Sequence, residues 1–153
     1  MPNENAEIIN IEATDFDRLI SIARSAILES VTATPVEKVE IIRETRNHLD
    51  TALTTAKNVC LKSIIRNDVT GFIIVKEYWN LSDLYVDPRY HQLTHGRMLL
   101  QAAIEQCRSV SNKSFIRVNS SLNAQAFYRK FGFTDYQTER ALPSTVIPLV
   151  FNY

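Results

Sequence analysis

Residues 58 to 86 hold three β-rich runs in quick succession, V-C-L-K-S-I-I-R, G-F-I-I-V-K-E-Y and L-S-D-L-Y-V, the first two separated by N-D-V-T. Connections this short permit hairpins, so the stretch reads as an antiparallel meander. Asp87-Pro88 ends the third run, because proline has no amide to give to a strand ladder.

Helices flank the meander. Upstream, Glu7 to Glu12 alternates as a short strand, and Thr14, with Asp17 three positions on, opens a helical pattern to about Ser30. Its buried face is Phe16, Leu19, Ile20, Ala23, Ala26 and Ile27. A second helix starts on Thr34 as N-cap, with Pro35 in its first position and Glu37 completing a capping box. Its expected stripe is Val39, Ile42, Leu49, Leu53 and Ala56; Arg46 falls on the same stripe and is expected to reach out to water. Downstream, a helix from Arg97 to about Val110 carries Met98, Leu99, Ala102, Ala103 and Cys107, and the strand F-I-R-V-N follows. A helix near Asn123 to Phe131 stops at Gly132, and two strands, F-T-D-Y-Q-T-E-R and T-V-I-P-L-V-F-N, join around Leu142-Pro143-Ser144. The order is β-α-α-β-β-β-α-β-α-β-β.

The chain has 153 residues, 45% of them hydrophobic, which is one domain's worth, and residues 1–153 are read as a single domain. Seventeen basic residues balance seventeen acidic ones, which argues against nucleic acid or an anionic membrane as partner. The first thirty residues contain no apolar core behind a basic start, and no run approaches the ~18 apolar residues of a membrane span, so a cytoplasmic location is expected. Cys60 and Cys107 lack the C-x-x-C spacing of a metal or redox pair and are expected to be buried thiols.

The chemistry concentrates in residues 84 to 100, L-Y-V-D-P-R-Y-H-Q-L-T-H-G-R-M-L-L, a strand that stops, loops and enters a helix. The first turn of a helix has unpaired N–H groups and partial positive charge, so such a unit can hold a diphosphate. L-Y-V-D-P-x-Y, a loop, Gly96, Arg97 and the following L-L resemble the acetyl-CoA segment of the GNAT superfamily of N-acetyltransferases, whose loop usually reads R/Q-x-x-G-x-G/A. In register, His91 takes the Arg/Gln position, Thr94 the first glycine and Gly96 the last. Thr94 keeps the amide but adds bulk where glycine lets the backbone approach the pyrophosphate, and its hydroxyl can donate to phosphate. The resemblance implies cofactor contacts from His91, Gln92, Leu93, Thr94, His95, Gly96 and Arg97, and pairing of the pantetheine arm with the strand of Leu84, Tyr85 and Val86.

N-S-S-L-N-A-Q-A-F-Y-R-K-F-G-F, residues 119 to 133, resembles the family's N-x-x-A-x-x-F-Y-x-K-x-G-F ending. Ala124 keeps its place, while the usual asparagine falls on Ser121, with Asn119 and Asn123 on either side; the resemblance implies that this group touches pantetheine. The tyrosine matching Tyr128 protonates the departing thiolate in the family, and a phenol on a rigid helix suits that task. Also implied are an α/β (α+β) GNAT acyltransferase fold, with a mixed, mostly antiparallel central sheet and splayed strands, and acetyl-CoA as co-substrate. The acceptor is a small-molecule or peptide amine, its pocket lined by the first two helices around Glu29 to Val36 and by the last hairpin. Homodimers are common in the family and remain open here.

Attack requires a neutral amine, hence a base. Side chains sharing a face with Val86 are Leu84, Ser82 and Asn80, none a carboxylate; Asp83 points the other way unless a bulge intervenes. Glu77, Glu29 and His48 are further candidates, and the residues choose none. His91-Gln-Leu-Thr-His95 resembles a zinc-protease motif but has Gln92 where the glutamate base belongs, so no metal is expected. The rival to an enzyme is a non-catalytic GNAT-like domain that binds acetyl-CoA or CoA as a sensor, or serves assembly.

Overall fold

The computed structural model describes residues 6–91 and 94–153. Its elements are β1 (Glu7–Asn10), α1 (Phe16–Ser30), α2 (Pro35–Thr54), β2 (Asn58–Ile65), β3 (Asp68–Lys76), β4 (Asn80–Val86), α3 (His95–Val110), β5 (Phe115–Ser121), α4 (Gln125–Phe131), β6 (Thr134–Asp135) and β7 (Val146–Asn152), the order expected from the sequence. Single 3₁₀ turns, Ala13–Asp15 and Pro88–Tyr90, precede α1 and follow β4.

Seven strands form one sheet in the order β1-β2-β3-β4-β5-β7-β6. Every neighbouring pair is antiparallel except β4 and β5. These two meet only at Asn80↔Arg117 and Leu81↔Val118 and then diverge. The sheet is therefore two halves, β1–β4 and β5–β7–β6, joined at one end of β4. One face packs on α3 through Ile73, Val75, Leu81, Leu99, Leu100, Ala103 and Ile104. The other packs on α1 and α2 through Phe72, Ile74, Leu19, Ile22, Ile27 and Leu49.

Turn chemistry sets the meander. Arg66 and Asn67 both have positive φ, 49° and 64°, and form the two-residue link from β2 to β3. Asp68, Val69 and Thr70, expected in a turn, belong to β3. Glu77 and Tyr78 also have positive φ, 53° and 65°, so β3 stops at Lys76 and these two residues turn the chain instead of extending the strand.

Helix α2 starts as the sequence expects: Thr34 Oγ1 accepts from the Glu37 amide, and Glu37 accepts from the Thr34 amide. Its buried stripe differs. Val39 is 66% exposed and Ala56 lies beyond the helix, whereas Thr45 and Leu49 are buried and Ile41, Ile42 and Ala52 pack beside them. Choosing the stripe by hydrophobicity passed over Thr45, whose hydroxyl is used by Tyr85 of β4. Arg46 is exposed, its guanidinium 5.6 Å from the centre of the Phe16 ring. The penultimate strand is also shorter than expected: after Asp135 only the Tyr136 amide still bonds toward β7, to Pro148 O, and 137–140 leave the sheet.

Candidate active site

Two cavities open on the divergence of β4 and β5. The first, about 1040 Å³, lies on the α3 side and is lined by Leu84 and Val86 of β4, His91, Thr94 and Gly96 of the loop and helix start, and Tyr128 and Phe131 of α4. Arg97, Gln101, Arg108 and Lys130 bring positive and polar side chains to it, with Glu105 among them. Arg97, Gln101, Ile104 and Arg108 recur at three- and four-residue spacing, which places them on one face of α3.

Strand alternation aims the β4 backbone at this cavity. The Asp87 amide bonds to Thr70 O, so Tyr85 and Asp87 direct their peptide groups toward β3, and Leu84 and Val86 direct theirs to the open side. There the Val86 carbonyl accepts a hydrogen bond from His91 Nε2 at 2.7 Å. Gly71 lets β3 come this close: a Cβ on it would lie 2.8 Å from Tyr85 O and 3.1 Å from Val86 Cγ2.

A charged cluster pins the loop after β4. Arg18 of α1 donates to Asp87 Oδ2 at 2.9 Å and to Val69 O at 2.9 Å, and Arg89 donates to Asp87 Oδ2 at 2.9 Å. Tyr90 donates to Asp68 at 2.8 Å. Burial alone would raise the Asp87 pKa, but hydrogen bonds from Arg89 and Arg18 outweigh it and bring it down to about 2.

The loop residues have different surroundings. Thr94 and Gly96 face the first cavity, while His95 turns its ring inward, 1% exposed, with Nδ1 2.9 Å from Thr70 Oγ1 and a Tyr90 ring stacked at 5.8 Å. What His95 can offer a ligand is its amide, and burial lowers its pKa. Because His91 and His95 engage separate partners, the H-x-x-x-H spacing does not converge on one point. Among the described residues no group of three or more His, Cys, Asp or Glu could hold a metal. Gln92 and Leu93 lie outside the described residues.

The second cavity, about 520 Å³, opens on the α2 side between β4, β5 and the start of β7. Val31 and residues 143, 145 and 146 rim it, so the helix-to-helix turn and the last hairpin contribute as the sequence suggests, but Glu29 points to solvent. Asn119 and Ser121 open here and not into the first cavity, which takes Asn123 instead. Along α2 it receives Glu37, Ile41, Glu44, Thr45 and His48, of which the sequence named only His48 as a candidate base. Glu77 is exposed in the β3–β4 turn.

Asp83 lies in this second cavity. The β3–β4 register shifts between Ile74↔Asp83 and Val75↔Leu81, making Ser82 an extra residue. That bulge lets Leu81 join the α3 core while Asp83, 3% exposed, faces α2. Its Oδ2 takes hydrogen bonds from Ser82 Oγ at 2.6 Å and His48 Nδ1 at 2.9 Å. Counting strand parity correctly put Asp83 opposite Leu84; it could not show that a cavity opens on that face.

Tyr128 stands where the cavities meet. Leu84, Ala124 and Tyr128 line both. The Tyr128 ring lies edge-on to Phe127 and Phe133, each 5.3 Å away. Burial first, then Tyr85 and the Asp83 charge, push its pKa well above the usual tyrosine value, so the phenol keeps its proton. Burial raises Cys60 to about 11, with Asp83 adding to the shift, and burial raises Cys107 to about 12, so neither thiol is a nucleophile at neutral pH.

Residues 33–142 match the family model for the acetyltransferase (GNAT) domain. The chain belongs to the GNAT acetyltransferase family. Among solved GNAT structures, the GCN5-related N-acetyltransferase from Rhodopseudomonas palustris superimposes with a TM-score of 0.82 at 17% identity, covering 100% of this chain and 99% of that one. The PaiA N-acetyltransferase from Thermoplasma acidophilum, in complex with coenzyme A, gives 0.81 at 20% identity over 97% and 99%. A GNAT acetyltransferase from Brucella melitensis, in complex with acetyl-CoA, gives 0.67 at 18% identity over 98% and 89%. No curated protein matches the sequence. The likeness establishes the mixed α/β GNAT fold with its mostly antiparallel seven-stranded sheet. No helix among the described residues is long and apolar enough to cross a membrane.

Proposed function

We propose that this GNAT domain transfers the acetyl group of acetyl-CoA to a primary amine of a small molecule or peptide, by direct attack of the amine on the thioester. The observation that carries the reading is the junction of the cavities at Leu84, Ala124 and Tyr128, which gives two reactants separate entrances and one meeting point. The first cavity suits the long anionic substrate. Arg97, Arg108 and Lys130 supply cations, the loop and the start of α3 supply amides, and the outward-facing peptide groups of Leu84 and Val86 supply an unpaired strand edge for the pantetheine amides. Asn123 and Ala124 take the part of the arm nearest α4, and His91 gives up its bond to Val86 O when a pantetheine amide takes that place.

The acceptor enters the second cavity. Its nitrogen attacks the carbonyl carbon, the C–N bond forms and the C–S bond breaks, and Tyr128 gives its proton to the departing thiolate. The elevated pKa of Tyr128 keeps that proton available across the neutral range.

Titrating acetyl-CoA into the purified protein, followed by thiol release against a panel of polyamines, amino acids, aminoglycosides and peptides, tests the reading. Saturable binding and release with at least one amine are expected. No binding at millimolar acetyl-CoA would overturn it, and binding without release from any amine would point to a sensor.

A further inference from the structure

The second cavity is acidic where an amine must lose a proton. Glu37, Glu40 and Glu44 come from α2 and Asp83 from β4, against one cation, Lys76 of β3; the tyrosines 85 and 128 complete the ionisable lining beside His48. Negative charge around an amine favours its ammonium form, which has no lone pair for attack. A base is needed there, and most of the carboxylates are engaged elsewhere. Glu37 closes the α2 capping box and Glu40 pairs with Arg43. Asp83 is nearly closed off from solvent, its side chain 2% exposed with Oδ2 bound by both Ser82 and His48.

We propose, building on the transfer reading, that His48 is the base that takes the proton from the acceptor ammonium, and that Asp83 is the positioning residue that makes it one. The carboxylate accepts from Nδ1–H at 2.9 Å, which fixes the tautomer and leaves the lone pair on Nε2. The His48 side chain is 27% exposed, open enough both to meet an acceptor and to return its proton to solvent. In each cycle the ammonium N–H breaks and its proton passes to Nε2. The freed pair then forms the C–N bond. A second proton leaves nitrogen as C–S breaks and replaces the one Tyr128 has given to the thiolate, so ammonium and thioester become amide, thiol and one proton released from His48 to water. Ordinary alternation with Tyr85 puts Asp83 on the α2 side of β4, and the Ser82 bulge returns Leu81 to the α3 core.

The test compares two probe nucleophiles in thiol release from acetyl-CoA: n-butylamine, a cation at neutral pH, and hydroxylamine, largely neutral there. In His48→Gln, release with n-butylamine should fall about 10²–10³-fold and with hydroxylamine less than about tenfold, with acetyl-CoA affinity unchanged. Added imidazole should restore part of the loss. Asp83→Asn should lower kcat for n-butylamine more than it alters KM, and ¹⁵N shifts of the His48 ring should show the proton moving from Nδ1 to Nε2. Equal losses with both nucleophiles, an unaffected His48→Gln, or a wild-type ring with Nδ1 unprotonated would each overturn the assignment. Failure of the wild-type protein to bind acetyl-CoA would overturn the transfer reading, and this step with it.

Discussion

Replacing Tyr128 by phenylalanine removes one oxygen from the point where the two cavities join. The fold should barely register the loss. The ring is packed edge-on against Phe127 and Phe133 at 5.3 Å, contacts that phenylalanine repeats, and the residue is only 5% exposed. Stability should therefore change by less than about 1 kcal/mol. Catalysis should change far more, because a positioned general acid contributes about 10²–10⁴-fold, or ~3–5 kcal/mol of barrier. The matched control is Tyr128→Ala, which empties the ring's site and should cost about 3–5 kcal/mol of folding stability. Measuring thiol release, acetyl-CoA affinity and thermal melting on the same preparations separates these effects. Full turnover in Tyr128→Phe, with binding intact, would refute the acid role and the inference that the raised pKa serves proton delivery.

Other perturbations test the supports of the site. Asp87 has a folded pKa of about 2, below its unfolded value of about 3.9, so it contributes stability that is present above about pH 4 and lost as pH falls through 2. Asp87→Asn should cost about 2 kcal/mol at pH 7 and flatten the melting profile between pH 4 and 2; an unaltered profile would contradict the Arg18–Asp87–Arg89 account. Gly71→Ala places a Cβ 2.8 Å from Tyr85 O, a backbone atom that can move only with its strand, and should destabilise by about 1–3 kcal/mol in urea titration. Arg97→Ala should weaken acetyl-CoA binding about three- to tenfold at low salt and less at high salt, read by calorimetry at two ionic strengths; a salt-independent loss would mean that Arg97 acts through packing.

Much of the framework was legible because local chemistry dictated it. Thr34-Pro35 with Glu37 can hardly start anything but a helix, Asp87-Pro88 must end a strand, and Gly132, with φ 127° and the Phe151 ring 3.1 Å from where a Cβ would sit, must end α4. The loop-to-helix segment and the F-Y-R-K-F-G-F run were likewise visible as motifs. What was hidden depended on partners distant in sequence. The bulge at Ser82 has no local signature, since it arises where β3 and β4 adjust register, and without it Leu81 falls on the wrong face of the strand. His48 is separated from Asp83 by 35 positions, and only the packing of α2 on β4 brings them to 2.9 Å. The Arg97–Arg108 face of α3 did carry a signal, a polar stripe at helical spacing, but a stripe of this kind usually faces water.

Two residue pairs, Asn80↔Arg117 and Leu81↔Val118, are all that stitch β4 to β5. In mechanical terms the sheet is a clip closed at one end, its two jaws resting on one shared core beneath α3. A ligand lying along the gap would act as a removable staple at the other end, adding pairing where β4 and β5 have none. Stability then becomes a reading of ligand concentration, rising as RT ln(1 + [L]/Kd). Amide exchange should slow first along residues 82–86 and 119–121, the lips of the clip, while the outer strand pair β1–β2 keeps its rate. Where the jaws part, a missing strand pairing has become the adjustable element of the fold.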